Sequence, residues 1–414
     1  MSAYRRYAVA ALLVALAVGC SGPRPVPRPA PRPTPATTPR AHAGAPAARA
    51  TGRLPFTLVA SGDAIPTHPA VLATARDDGP LGGYDFRPML RGVRPLIDSA
   101  DLALCHLAAP LGPLTGPFTG YPVLQSPPQI ATALKATGYD SCATASNHAL
   151  DHGVPGVRRT LNAFDTVGLR HTGSARNATE GRRPALLRAP GGARVAELSY
   201  TYGIEGGRRP SDPPWGVELL DGKRILADAR AARRAGADIV VVSPHWGTEY
   251  RTAPDRRQLA LARKLTAATT GGRPDVDLIV GTHAHTPQPY EKVHGAGGRG
   301  TRAGGRRRAA DPRGGGTWVA YGLGDLIGGG THDERGKMST TARFTFTPPA
   351  TPGGRWKVTK AEFIPLWWDA EAGRVIDVNK AIRAGRLDLT PVRHRIRRMV
   401  LSRGADKAGL VMGG

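Results

Sequence analysis

Three apolar runs, each ending in a polar cluster, constrain the fold of this chain more than any other feature. Residues 238–244 (DIVVVSP) lead into His245, Trp246 and Gly247. Residues 276–281 (VDLIVG) lead into Thr282, His283, Ala284 and His285, and residues 138–145 (GYDSCATA) into Ser146, Asn147 and His148. Continuous apolar runs of this length are what buried parallel strands require, and α/β proteins place ligands beyond the carboxyl ends of such strands. Imidazoles and amides recurring at strand ends therefore predict one shared site, with metal binding as its chemistry.

The pattern between these runs supports one α/β domain. Strands are expected at 56–62, 101–107, 139–145, 197–202, 238–243, 277–281 and 317–321. Helices are expected near 86–98, 127–137, 154–167, 221–235 and 256–268, which gives the alternation of an α/β fold. Residues 343–346 and 356–366 read as late antiparallel strands. The expected organisation is a signal segment at 1–20, a tether at 21–53, a folded domain at 54–370 and a basic appendage at 371–414.

The first twenty residues bear on location. Arg5 and Arg6 precede an apolar stretch, Ala8 to Val18, too short to span a membrane as a mature helix. It ends in AVGC, which resembles a lipoprotein signal and makes Cys20 the expected lipidation site; a secreted protein is the alternative. Residues 21–53 are rich in Pro, Ala and Arg, cannot pack a core, and at roughly 3.1 Å per residue reach on the order of 100 Å. Cys105 and Cys142 are the other two cysteines, expected as separate buried thiols.

Net charge is +25, with arginines gathered in the N-terminal tether, in a Gly/Arg-rich insertion at 295–316 and near the C-terminus. Such charge suits an acidic polymer or anionic lipid. Arginines without interleaved aromatics argue against a nucleic-acid channel. A glycine-rich match at 322–329 leads into no helix, so it is no dinucleotide fingerprint.

Four of the twelve histidines fall in the three clusters: His148, His245, His283 and His285. In an extended segment His283 and His285 share a face and offer a chelating pair. Asp63 closes the first strand as a hard carboxylate, and Asn147 offers an amide oxygen. These five positions, Asp63, Asn147, His245, His283 and His285, are the expected metal ligands, for manganese, zinc or iron as one or two ions. His148 is the expected proton donor, with Asp151 orienting it. His152 is expected at the surface.

The segments SGD (61–63), YDF (84–86), ADL (100–102), YP (121–122), SNHALDHG (146–153), HWGTEY (245–250), GTHAH (281–285) and YGLGD (321–325) together resemble the bacterial capsule-synthesis CapA family of poly-γ-glutamate biosynthesis, over residues 56–330. The resemblance implies a metallophosphoesterase-like layered β-sandwich flanked by helices, holding a divalent metal. It also implies an extracytoplasmic protein, tethered to the membrane by its lipid, that works on an anionic poly-γ-glutamate-like polymer beside capsule-synthesis membrane proteins and not on nucleic acid. Metal-dependent hydrolysis or transfer is the leading expectation; a non-catalytic scaffold and a general metallophosphoesterase are the alternatives. Glu249, Tyr250 and His106 are the expected substrate contacts. The chain departs from the family where Asn-Leu-Glu is usual, reading His106, Leu107 and Ala108, so a bridging carboxylate is missing; Asp325 is a candidate to restore one nearby.

Overall fold

The structure, a computed structural model, describes residues 53–205, 216–294, 315–328, 333–351 and 354–414. The expected signal segment with Cys20, the tether before Arg53 and residues 295–314 of the insertion lie outside the described residues. Among the described residues no helix is long and apolar enough to cross a membrane.

Two sheets face each other. The first contains β1 (Phe56–Ala64), β2 (Leu102–Leu107), β3 (Ser141–Ala143), β4 (Arg170–Thr172), β13 (Asp325–Ile327), β14 (Met338–Thr347), β15 (Lys357–Asp369), β16 (Arg374–Asp377) and β17 (Leu410–Met412). Its main path runs β16-β15-β14-β1-β2-β3-β4, with β13 on β1 and β17 on β15. The second contains β5 (Ala185–Arg188), β6 (Arg194–Thr201), β7 (Ile239–His245), β10 (Leu278–Val280), β11 (Tyr290–Val293) and β12 (Thr317–Ala320), in the order β11-β12-β10-β7-β6-β5. A small hairpin, β8 (Thr269–Thr270) and β9 (Arg273–Pro274), stands apart.

Strand alternation builds the layers. Leu58 and Ala60 of β1, Leu102 and Leu104 of β2, and Ile239, Val241, Leu278 and Val280 of the second sheet form a core between the sheets. The residues between them point outward: Val59 and Ala103 pack under helices on one side, Val240, Val242 and Ile279 under helices on the other. Both faces of each sheet's centre are thus buried, which is why these strands are apolar throughout. The outer helices follow from spacing. In Gly222–Arg234 the buried residues include Ile225, Ala229 and Ala232, one face of a helix whose start Asp221 caps through the N–H groups of Lys223 and Arg224.

Three expectations need correcting. Residues 371–414 are no appendage: β16 and β17 extend the first sheet, and Ile396, Val400 and Leu410 enter the core between the sheets. Their apolar residues are few but placed on one face, so composition understates their burial. Cys105 and Cys142 are not separate thiols but a disulfide, because parallel pairing of β2 and β3 sets them opposite each other with Cα atoms 4.4 Å apart. The helix expected near 86–98 is two short ones, Arg87–Leu90 and Arg94–Asp98, each with Pro in its first turn.

Candidate metal centre

Chain direction delivers the site. In β1, β2 and β7 the carboxyl ends carry Asp63, His106 and His245, and β3 and β10 run on into Asn147 and His283. Gly62 makes the arrangement possible: a Cβ there would lie 1.8 Å from the carbonyl oxygen of Gly324. This close approach pairs β1 with β13 and sets Asp63 in register with Asp325.

Asp63 is fully buried and sits at the centre. Its Oδ2 accepts the His283 backbone N–H at 2.8 Å. Its Oδ1 lies 2.6 Å from His106 Nδ1 and 3.5 Å from His245 Nδ1. His106 Nε2 is 3.1 Å from the Ala145 carbonyl, which can only accept, so that nitrogen carries a hydrogen and Nδ1 is the atom turned to Asp63. Asp63 Oδ1 and His106 Nδ1 both lack a hydrogen bond, as does buried His283 Nδ1. An imidazole nitrogen and a carboxylate oxygen held this close in the interior need a cation between them, a proton or a metal. A divalent metal fits that requirement, and the mixed nitrogen and oxygen donors suit zinc, manganese or iron.

The ligand atoms form overlapping groups: Asp63 with His106 and His245, Glu249 with His283 and His285, and Asp63 with His285 and Asp325, each within 4.8 Å. His245 stacks on His106 at 4.7 Å, and its Nε2 is 3.0 Å from Asn147 Oδ1. Thr282 Oγ1 holds its Nδ1 at 3.0 Å. Asn147 Nδ2 donates to Glu205 at 3.1 Å, which fixes the amide so that its oxygen faces the cluster.

Electrostatics sort the groups. Burial raises the Asp63 carboxyl, but the attraction and hydrogen bonds of His106 and His245, when those rings carry a proton, outweigh it and hold the group well below the carboxylate range. Burial pushes His245 down to about 4 against the pull of Asp63. Burial and the neighbouring rings of His245 and His285 hold His283 well below its ordinary value. Both rings are therefore neutral at pH 7, the state a ligand needs. Burial would lower His285 as well, but the Asp325 carboxylate, 3.0 Å from its Nδ1, dominates and raises it to about 9.

The His283 and His285 pair is not extended, as the spacing suggested. Both residues lie beyond β10 with φ of 84° and 53°, and neighbouring Tyr250 has φ of 56°. These are the non-glycine positive φ values among the described residues. Each costs about 1–3 kcal/mol, and such strain gathers at functional sites. The turn sends His283 toward His245 and His285 toward Asp325, while both stay in one group with Glu249.

The other expected residues sort as follows. His148 Nδ1 lies 2.8 Å from Asp151 Oδ2, which also accepts the Leu124 N–H. His106 is 2% exposed, so it faces Asp63 and not a substrate. Glu249 is half exposed with Oε1 3.9 Å from His285 Nε2, and Tyr250 stacks on His285 at 5.4 Å. His152 is half-buried, with its Nε2 covered, where a surface ring was expected. Sequence reading passed over Tyr202, 4.5 Å from the His283 ring, and Glu205 on Asn147. It also missed Glu197, which accepts hydrogen bonds from Ser141 at 2.6 Å and Ser243 at 3.2 Å between the two sheets. A carboxylate inside the apolar run of β6 was the available signal for Glu197.

Residues 57–329 match the family model of the bacterial capsule synthesis protein PGA_cap. The chain belongs to this family. It is 29% identical over 173 residues to the capsule biosynthesis protein CapA of Bacillus anthracis, covering 41% of this chain and 40% of that one. It is 31% identical over 172 residues to the PGA biosynthesis protein CapA of Bacillus subtilis, covering 42% and 43%. The chain thus spans about half the length, or less, of the curated relatives it matches. Among solved structures, the NAD nucleotidase of Haemophilus influenzae is similar with a TM-score of 0.44 and 13% identity, over 78% of this chain and 60% of that one.

Proposed function

We propose that this capsule-synthesis family member is an extracytoplasmic, lipid-tethered, metal-dependent hydrolase or transferase acting on an anionic polymer of the poly-γ-glutamate kind. The observation that carries the reading is the facing of Asp63 Oδ1 and His106 Nδ1, neither with a hydrogen bond, inside a cluster of buried ligand atoms. Asp63, His106, His245 and Asn147 would hold one ion, and His283, His285, Glu249 and Asp325 a second. When bound, the metal supplies Lewis acidity and an activated water.

The chain's own residues do the rest. His148 directs Nδ1–H at Asp151, which fixes the ring and leaves Nε2 as the atom that hands a proton to the leaving group. Leu124 N–H holds Asp151 in turn, so the donor does not drift. Glu205 keeps the Asn147 oxygen aimed at the cluster. Glu249 and Tyr250 stand at the exposed edge, where a polymer segment would meet the site. Asp325 supplies, from β13, a carboxylate in place of the one missing at Ala108.

The test is incubation of the full-length protein with poly-γ-glutamate and manganese or zinc, followed by polymer length and release of amino groups. Shortening that disappears in a His148→Ala variant supports the reading. Unchanged polymer with either metal would favour a scaffold.

A further inference from the structure

A second cavity lies apart from the metal centre, where the edge strands of the two sheets meet. It encloses about 780 Å³ between β4, the residues after it, β5, β6 and the helix Gly222–Arg234. That volume is within the roughly 300–1,000 Å³ of small-molecule sites, enough for a few units of a chain.

The charges on its wall are unequal in their partnering. Arg176 is committed to Asp165 and Glu180, and Asp228 accepts from Arg224 Nε at 2.7 Å and from the Tyr200 hydroxyl at 3.0 Å. Arg170, Arg182 and Arg183 line the same cavity, are exposed, and among the described residues engage no carboxylate or carbonyl through their guanidinium groups. Arg170 is placed by β4, and Arg182 and Arg183 by the short helix Ala178–Gly181. Unpaired guanidinium groups lining one hollow offer a site for carboxylates, which they bind in bidentate geometry.

The cavity also backs onto the catalytic loop. Ser174 Oγ is 2.7 Å from Thr144 Oγ1, and Thr144 stands three residues before Asn147. A cavity wall and a ligand-bearing loop are thus parts of one hydrogen-bonded unit.

We infer that this cavity binds a short segment of a carboxylate-bearing polyamide, with Arg170, Arg182 and Arg183 receiving its carboxylates. The inference rests on the proposed polymer chemistry and adds a holding site distinct from the metal centre. The hydroxyls of Thr172 and Thr179, which line the same cavity, are left to meet the polymer's amides. The arginines near the C-terminus are a different surface, where Arg395 pairs with Glu334 and Arg403 with Glu291.

The test uses the full-length protein and an end-labelled γ-linked glutamate hexamer, with a γ-linked glutamine hexamer as the uncharged control. The R170Q/R182Q/R183Q variant is expected to weaken glutamate-hexamer binding about tenfold or more and to flatten its salt dependence by about two in the log–log slope. A control variant, R393Q/R397Q/R398Q, is expected to weaken it no more than about threefold. As a check independent of any variant, the hexamer should protect Arg170, Arg182 and Arg183 from phenylglyoxal modification. Equal losses in the two variants, or no protection, would overturn the cavity assignment while leaving the metal-centre reading intact. A wild-type protein that binds neither hexamer would overturn the polymer reading and the cavity with it.

Discussion

Replacing Glu197 with glutamine is expected to stabilise the protein, and increasingly so as pH rises. Glu197 is fully buried between the sheets, and burial pushes its carboxyl from 4.5 up to about 7, against the opposing pull of Ser141, Ser243 and His106. The folded protein thus prefers the neutral acid, whereas the unfolded chain releases its proton near 4.5. Between those values the unfolded state binds fewer protons, so stability falls as pH rises and the full cost is present above 7. At about 1.4 kcal/mol per pH unit the cost comes to about 3 kcal/mol. Glutamine keeps both serine contacts: its oxygen accepts from Ser141, and the Ser243 hydroxyl can rotate to accept from its amide. Urea unfolding of wild type and Glu197→Gln at pH 4.5, 6, 7 and 8, in chelator, reads the difference. It should be near zero at pH 4.5 and approach about 3 kcal/mol in favour of the variant at pH 8. A constant difference, or one that shrinks with pH, would refute the assignment of a neutral buried acid.

Other consequences follow from the same geometry. His148→Ala should lower turnover by about 10²–10⁴-fold while leaving bound metal unchanged, as measured by kinetics beside elemental analysis. Removing the disulfide in a Cys105→Ala/Cys142→Ala variant should cost up to about 4 kcal/mol in urea unfolding, given the 37-residue separation it closes. A chain ending at Ala370 would expose the places of Ile396, Val400 and Leu410. Their burial is worth about 1.5–3 kcal/mol each, so the truncated protein should fail to give a cooperative melt.

Much of the centre of this molecule was legible because local and long-range demands agree there. β1, β7 and β10 are buried on both faces, so each had to be a mainly apolar run, and the polar cluster following it had to be at the strand's end. That logic finds Asp63, His245 and His283 without any knowledge of pairing. It fails for features that depend on which strands become neighbours. The Cys105–Cys142 bond exists because β2 and β3 pair in one register. Asp325 reaches Asp63 because Gly62 lets the Gly324 backbone close in. The left-handed backbone at His283 and His285 was invisible for a related reason: nothing local favours it, and only the surrounding site holds it. The C-terminal segment misled through composition, since its many arginines mask an apolar face at Ile396 and Val400 that enters the core between the sheets.

The central claim is that Asp63, His106, His245, His283 and His285 hold divalent metal. Its most direct test is metal content by elemental analysis after loading with manganese or zinc, for wild type, His106→Ala and a His283→Ala/His285→Ala variant that retain the wild-type circular dichroism. The account predicts two equivalents in the wild type, with each variant losing at least one. A wild-type protein that takes up no metal, or variants that bind as much as it does, would contradict it.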